Sequence, residues 1–243
     1  MFRHKGKYRT FAHDLRLAIL LSFVAGLVNI TGVLALKTLT TNVTGHFAFF
    51  AEEIMRHDYA TAITFFLFTI FFLLGSFLSS FLQEFISIKK PDWSHILPII
   101  LEMVILIAVG FFGVSSGLFT LDGKLTAFFM LLAMGIQNSL VTNISRSTVR
   151  TTHLTGLFTD LGIELSQLFF YKKPEEVKKL RTKIFLRLSI ITFFFLGCFF
   201  GGIIYQILEI KTLFVAAFVL LIAQWYDFLR LKFHLIKRKT FYK

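Results

Sequence analysis

Thr40-Thr41-Asn42-Val43-Thr44-Gly45-His46-Phe47 and Thr151-Thr152-His153-Leu154-Thr155-Gly156-Leu157-Phe158 are two copies of one polar segment in a chain otherwise dominated by apolar residues. Glu53 then matches Glu164 at the same offset of 111 residues. Upstream, Gly26-x-x-Asn29 matches Gly135-x-x-Asn138 at an offset of 109. Downstream, Phe71-Phe72-Leu73-Leu74-Gly75-Ser76-Phe77 matches Phe193-Phe194-Phe195-Leu196-Gly197-Cys198-Phe199 at 122, the offset widening across the basic insert Lys172 to Lys183. Chance likeness among Phe-rich helices would explain the last match alone. It does not explain three ordered matches, one of them in polar residues.

Composition says where these segments sit. Of 243 residues, 56% are apolar, Phe occurs 33 times and the mean hydropathy is +0.73, all well above a soluble domain. No stretch is left to form a separate aqueous core, so residues 1–243 read as one membrane domain. Six runs are long enough to cross a bilayer: Arg16 to Leu36, Tyr59 to Leu82, His95 to Val114, Gly123 to Val141, Ile184 to Ile207 and Lys211 to Leu231. Each must be a helix, because lipid tolerates no unpaired backbone. The first lacks a small-x-small cleavage site and is longer than a signal-peptide core, so it is expected to remain as a span.

Orientation follows from the cationic residues. Of the 26 Lys and Arg, only Lys37, Arg56, Lys124 and Lys211 fall on one side of the bilayer; the others crowd the opposite side and both termini. Both termini are therefore expected in the cytoplasm. The same placement turns a net charge of +12 into a topological signal beside anionic lipid and removes nucleic acid as a partner. The segment Thr155 to Tyr171 is apolar enough for a seventh span, but crossing there would put Lys172 to Lys183 outside. It is expected as a re-entrant or membrane-surface helix.

The expected fold is thus an all-α integral membrane protein of two three-helix repeats, residues 16–114 and 123–231, each with a short helix after its TTxxTG segment. An odd number of spans per repeat forces the second copy to be inverted, as in many secondary transporters.

Gly26 to Asn29, Asn42-Val43-Thr44-Gly45, Gly135-Ile136-Gln137-Asn138 and Arg150-Thr151-Thr152-x-x-Thr155-Gly156 resemble the hallmark segments of the YoaK family, membrane proteins with a domain of unknown function. The resemblance spans essentially the whole chain. It implies a bacterial inner-membrane location and names no substrate. Two positions depart from the family pattern, which has Asp where Asn29 stands and Asn where His46 stands.

Candidate site residues are Asn29, Thr41, Thr44 and Gly45 in the first repeat, with Asn138, Thr152, Thr155 and Gly156 in the second. Thr hydroxyls can cap a helix start, Gly permits close approach, and half-helix N-termini carry partial positive charge suited to an anionic or dipolar solute. Ordinary capping is the competing account. Asn29 and Asn138 each share a helix face with a Gly one turn away, so they line a cavity or bond between helices. Glu102, roughly 10 Å into its span, is a candidate coupling carboxylate unless it pairs with a base or reaches the interface. Asp160, Glu164 and Gln167 share a stripe read as a solvated face, with Gln137 less informative than Asn138. Arg146 and Arg150 stand near an anion route or serve only the charge rule.

Gly197-x-x-x-Gly201 and Gly75-x-x-x-Ser79 read as close-packing surfaces between the repeats, a homodimer contact being the weaker reading. His46 and His153 are not equivalent and lack thiol or carboxylate partners at ligand spacing, and Cys198 reads as a packing thiol, so neither metal nor cofactor is expected. No phosphate loop, nucleophile elbow or HExxH occurs, and no enzymatic activity is expected. A secondary transporter working by alternating access is the leading expectation, followed by a channel with a half-helix-lined pore and then a non-transporting scaffold or sensor.

Overall fold

A computed structural model describes Phe2, residues 10–113 and residues 122–241, with side chains described as far as Asp227 apart from Asp92. Val114, the expected end of the third span, and Arg3, Lys5, Lys7, Arg9 and Lys243, five of the basic residues behind the expected orientation, lie outside the described residues. Among the described residues all regular structure is helical: α1 (Phe11–Leu36), α2 (Val43–Met55), α3 (Tyr59–Ser87), α4 (Ile96–Phe112), α5 (Gly123–Ser145), α6 (Leu154–Gln167), α7 (Pro174–Leu208) and α8 (Thr212–Phe241), with short 3₁₀ turns at Pro91–Trp93 and Glu209–Lys211.

Four stretches are long and apolar enough to cross a membrane: α1, α3, α5 and the run Pro174–Asp227 that holds α7 and much of α8. The outward faces are studded with bare Phe and Leu, including Leu73, Phe77, Phe81, Phe195 and Phe199. That is the surface of a helical membrane protein rather than of a soluble bundle. At 17 residues, α4 is shorter than the other long helices, reaching about 25 Å at 1.5 Å per residue.

One expectation about the helices needs correcting. The basic insert and the fifth apolar run are not loop followed by span, since α7 is one helix of 35 residues, about 52 Å long at 1.5 Å per residue. The local chemistry explains it. Pro174 sits in the first turn, where its missing N–H costs nothing, and Glu175 and Glu176 beside it favour the positive end of the helix dipole. Lys, Leu and Arg, good helix formers, then carry the helix into the apolar run.

The main pairings are α1 with α7 and α3 with α5, so each joins a helix of the first half to one of the second. The contacts are reciprocal. A Cβ at Gly26 would fall on the Phe194 carbonyl oxygen of α7, and a Cβ at Gly135 on the Phe72 carbonyl of α3. In return, a Cβ at Gly197 would meet the Phe23 carbonyl and a Cβ at Gly75 the Leu132 carbonyl. These four glycines let the backbones touch, as in close-packed membrane helices. Each contact maps onto its counterpart by the sequence offsets of 109 and 122. Against this pair of crossings, α4 packs on α5 and α8, enclosing a core that includes Leu21, Val28, Leu106, Met134, Leu140 and Leu220.

Candidate functional site

The TTxxTG segments begin where α1 and α5 end. Both helices stop on a basic residue in the left-handed conformation, Lys37 at φ 54° and Arg146 at φ 52°, which turns the chain back along the helix it has just left. In the first half, Gly32 leaves room for the returning chain: a Cβ there would lie 2.5 Å from the Thr40 methyl. The Thr41 hydroxyl then donates to Asn29 Oδ1 at 3.0 Å. In the second half, the Thr152 hydroxyl donates to Asn138 Oδ1, also at 3.0 Å. Four of the eight candidate residues thus form two equivalent hydrogen bonds, each closed within its own half.

The remaining four behave differently from what their spacing suggested. Thr44 and Thr155 are exposed on the first turns of α2 and α6. Gly45 and Gly156 face the residue that starts their own helix. Asn42 Oδ1 accepts from the Gly45 N–H at 3.0 Å, and a Cβ on Gly45 would lie 2.8 Å from Asn42 Nδ2. His153 occupies the corresponding position before α6, where a Cβ on Gly156 would overlap its ring, but it makes no cap bond. Capping chemistry, in the first half, belongs to Asn42 and not to a threonine.

Two buried hydroxyls escaped the sequence reading although they lie inside the repeated motif. Thr40 and Thr151 are fully buried, and each hydroxyl lacks a hydrogen-bond partner. Their identity at one offset was the available signal.

The short helices dock on the long helices that follow, α2 on α3 and α6 on α7. His46 is buried, its Nε2 2.8 Å from the Leu39 carbonyl oxygen, and its ring packs on Phe65 and Phe68. In α6, the stripe of Asp160, Glu164 and Gln167 expected to be solvated is so only in part: Asp160 is half exposed and Gln167 partly exposed, but Glu164 is buried in an ion-pair cluster. Arg187 donates from Nε to Glu164 Oε2 at 2.7 Å and from Nη2 to Oε1 at 2.9 Å, while its Nη1 lies 3.2 Å from Asp160. Glu164 is only 5% exposed. Same-face spacing identified the stripe but not Arg187, 23 residues further along.

This cluster borders a cavity of about 410 Å³ lined by Ser147, Thr148, Arg150, His153, Gly156, Leu157, Asp160, Lys183, Leu186 and Arg187. Arg150 and Lys183 give it a cationic wall, while the charge of Arg187, also in the lining, is met by Glu164 and Asp160. Arg146 is not among its lining residues.

Glu102 neither pairs with a base nor reaches the surface. It is fully buried on α4, and neither carboxylate oxygen has a hydrogen-bond partner. Gln137, expected to be less informative than Asn138, is also fully buried and ties α5 to α1 through Nε2 donating to the Leu21 carbonyl at 2.9 Å. Among the described residues no group of three or more His, Cys, Asp or Glu is arranged to hold a metal.

Helices apolar enough to span a bilayer, joined by reciprocal glycine crossings and carrying a duplicated Asn–Thr bond, define a helical membrane protein. The family described as protein of unknown function (DUF1275) matches residues 17–225, and the chain belongs to it. No curated protein and no solved structure matches the chain.

Proposed function

We propose that the chain is a secondary transporter of the bacterial inner membrane, with six spans in two inverted three-helix repeats, both termini in the cytoplasm, and a small anionic or dipolar solute moved by alternating access. The observation that carries this reading is the reciprocity of the contacts. Each half lends one helix to each glycine crossing, and each half closes the same Asn–Thr bond. Two like units of opposite orientation, meeting at close backbone contacts through four glycines, can rock against each other about their crossings. The six-span count takes α4 as a crossing and the break at Glu209–Lys211 as the turn between α7 and α8.

The cationic wall of Arg150 and Lys183 favours an anion at the cytoplasmic mouth. Asn29, Thr41, Asn138 and Thr152 supply polar contacts along its path. Glu102, a carboxylate buried within a span and without a hydrogen-bond partner, is the candidate coupling group. Transport, not catalysis, is the role assigned.

Thermal stabilisation of the purified protein by a panel of small anions tests the reading, because a ligand that favours the native state raises its apparent stability. Saturable flux of the stabilising solute into vesicles is expected, and Glu102→Gln should abolish its dependence on a pH gradient. Unsaturating, voltage-driven flux would indicate a channel; neither binding nor flux would leave a scaffold or sensor. Cysteines placed at Lys37, Lys124 and Lys211 should be labelled from outside intact cells, and those in Lys172 to Lys183 should not.

A further inference from the structure

Away from the Asn–Thr bonds and the cavity at α6, the N-terminal turns of α7 and the start of α1 enclose a second groove, about 580 Å³, lined by Phe11, Lys172, Pro174, Val177, Lys178, Arg181, Thr182 and Phe185. Its two chemistries are segregated. Phe11 and Phe185, with ring centres 6.3 Å apart, form an apolar floor with Val177. Lys172, Lys178 and Arg181 supply the charge, and no carboxylate lines the groove among the described residues. Among the described residues no ion pair involves these three side chains, whereas neighbouring Lys173 is paired with Glu176 at 3.6 Å.

Helix length fixes the depth. At about 52 Å, α7 exceeds a hydrocarbon core of about 30 Å by several turns. With the apolar run from Ile184 in the core, Phe185 lies at its edge, and Arg181 and Lys178 stand one and two turns above, at the level of lipid phosphates. Leu180 and Ile184 face away, packed with Leu161 of α6, so the groove is not the α6 docking surface.

We propose that this groove is a binding site for one anionic phospholipid, its phosphate held by Lys178 and Arg181 with Lys172 nearby, and its upper acyl chain laid on Phe11 and Phe185. A soluble protein partner would not meet an apolar floor at membrane depth beside a charge ring of one sign. A zwitterionic lipid would bring a choline or ethanolamine cation against those same bases. The site is independent of the transport reading and stands if that reading fails.

The test uses the full chain purified in a neutral detergent and titrated with phosphatidylglycerol or phosphatidylcholine, with lipid occupancy read by native mass spectrometry and stability by thermal unfolding. Phosphatidylglycerol should bind first and raise the melting temperature. Lys178→Gln with Arg181→Gln should weaken that binding roughly thirty-fold, taking about 1 kcal/mol per basic residue and tenfold per 1.4 kcal/mol. Phe11→Ser should weaken binding of the lipid, and sn-glycerol 3-phosphate alone should give no stabilisation. Both polar side chains are at the surface, so melting without lipid should be unchanged. Lys89→Gln with Lys90→Gln, on the same side of the membrane, should keep the preference. Equal binding of the two lipids, an unaltered preference in the Lys178/Arg181 variant, an equal loss in the Lys89/Lys90 variant, or full stabilisation by glycerol phosphate would each overturn the proposal.

Discussion

Where the short helix docks on the long one, the first half uses rings and the second half uses charge. Glu53 and Glu164 are equivalent in sequence, but only Glu164 is held by an arginine; the position of Arg187 corresponds, at the offset of 122, to Phe65. His46, packed on Phe65 and Phe68, corresponds to Leu157. The crossings and the Asn–Thr bonds differ hardly at all. Equivalent backbone geometry has thus been kept at the centre of the molecule, while the short-helix interfaces have been free to change chemistry, provided each remains paired. The cavity with the cationic wall lies on the side that changed to charge.

The sharpest way to break the shared part is at the glycine crossings. Gly26→Ala and Gly135→Ala each put a methyl group on a facing carbonyl oxygen, and no flexible side chain is there to yield. Both should lose about 3 kcal/mol or more, at or beyond the upper range for overpacking, and should do so alike in thermal unfolding. A large loss for one with tolerance of the other would mean that the two crossings are not equivalent.

The divergent part gives the next effect. Arg187→Met leaves Glu164 buried and uncompensated; a fully buried pair would cost 3–5 kcal/mol, and the 21% exposure of the arginine side chain reduces the expectation to about 2 kcal/mol. His46→Leu, which installs the second-half residue in the first half, should cost about 1 kcal/mol, the worth of its bond to Leu39. If His46→Leu proves the more damaging, the ring-for-charge exchange is the wrong account of the two interfaces.

Thr41→Val and Thr152→Val keep volume nearly constant and leave an asparagine oxygen without its donor. Each should cost 1–3 kcal/mol by the general magnitude of about that size for an unsatisfied polar group, and the two should agree within error. Unequal values would show that one of the bonds is replaced by another partner or by water.

The smallest contrast lies at the helix caps. Asn42→Ala removes a side-chain cap and should cost about 1 kcal/mol. His153→Ala removes none and should fall within about 0.5 kcal/mol of the parent, as surface changes usually do. A loss at His153 matching that at Asn42 would reveal a cap in the second half as well.

What could be read from the chain beforehand was set by contrast. Polar TTxxTG segments stand out against apolar helices, so the duplication, the all-helical class and all four members of the Asn–Thr bonds were visible, although not which would bond to which. Pairing needs the turns at Lys37 and Arg146, and a left-handed turn at a lysine or an arginine has no residue signature comparable to glycine's. Charge was misread in α6: its acidic stripe looks solvated, yet Glu164 is buried, because a partner 23 residues away is invisible to local pattern. Pro174 followed by Glu175 and Glu176 was the overlooked helix start.

The pairing of α1 with α7 also fixes an order in time. From Leu36 to Pro174 is 138 residues (174 − 36), so at roughly 5–20 residues per second the ribosome needs about 7 to 28 seconds before the helix that covers Gly26 begins to emerge. The pairing of α3 with α5 is available much sooner. Throughout that interval the newborn chain holds Asn29 satisfied by Thr41, its near neighbour, while the groove at Gly26 stands open to lipid or to whatever insertion machinery attends it. The Asn–Thr bond needs no later part of the chain to form, so the first helix can have Asn29 Oδ1 satisfied before its partner is made.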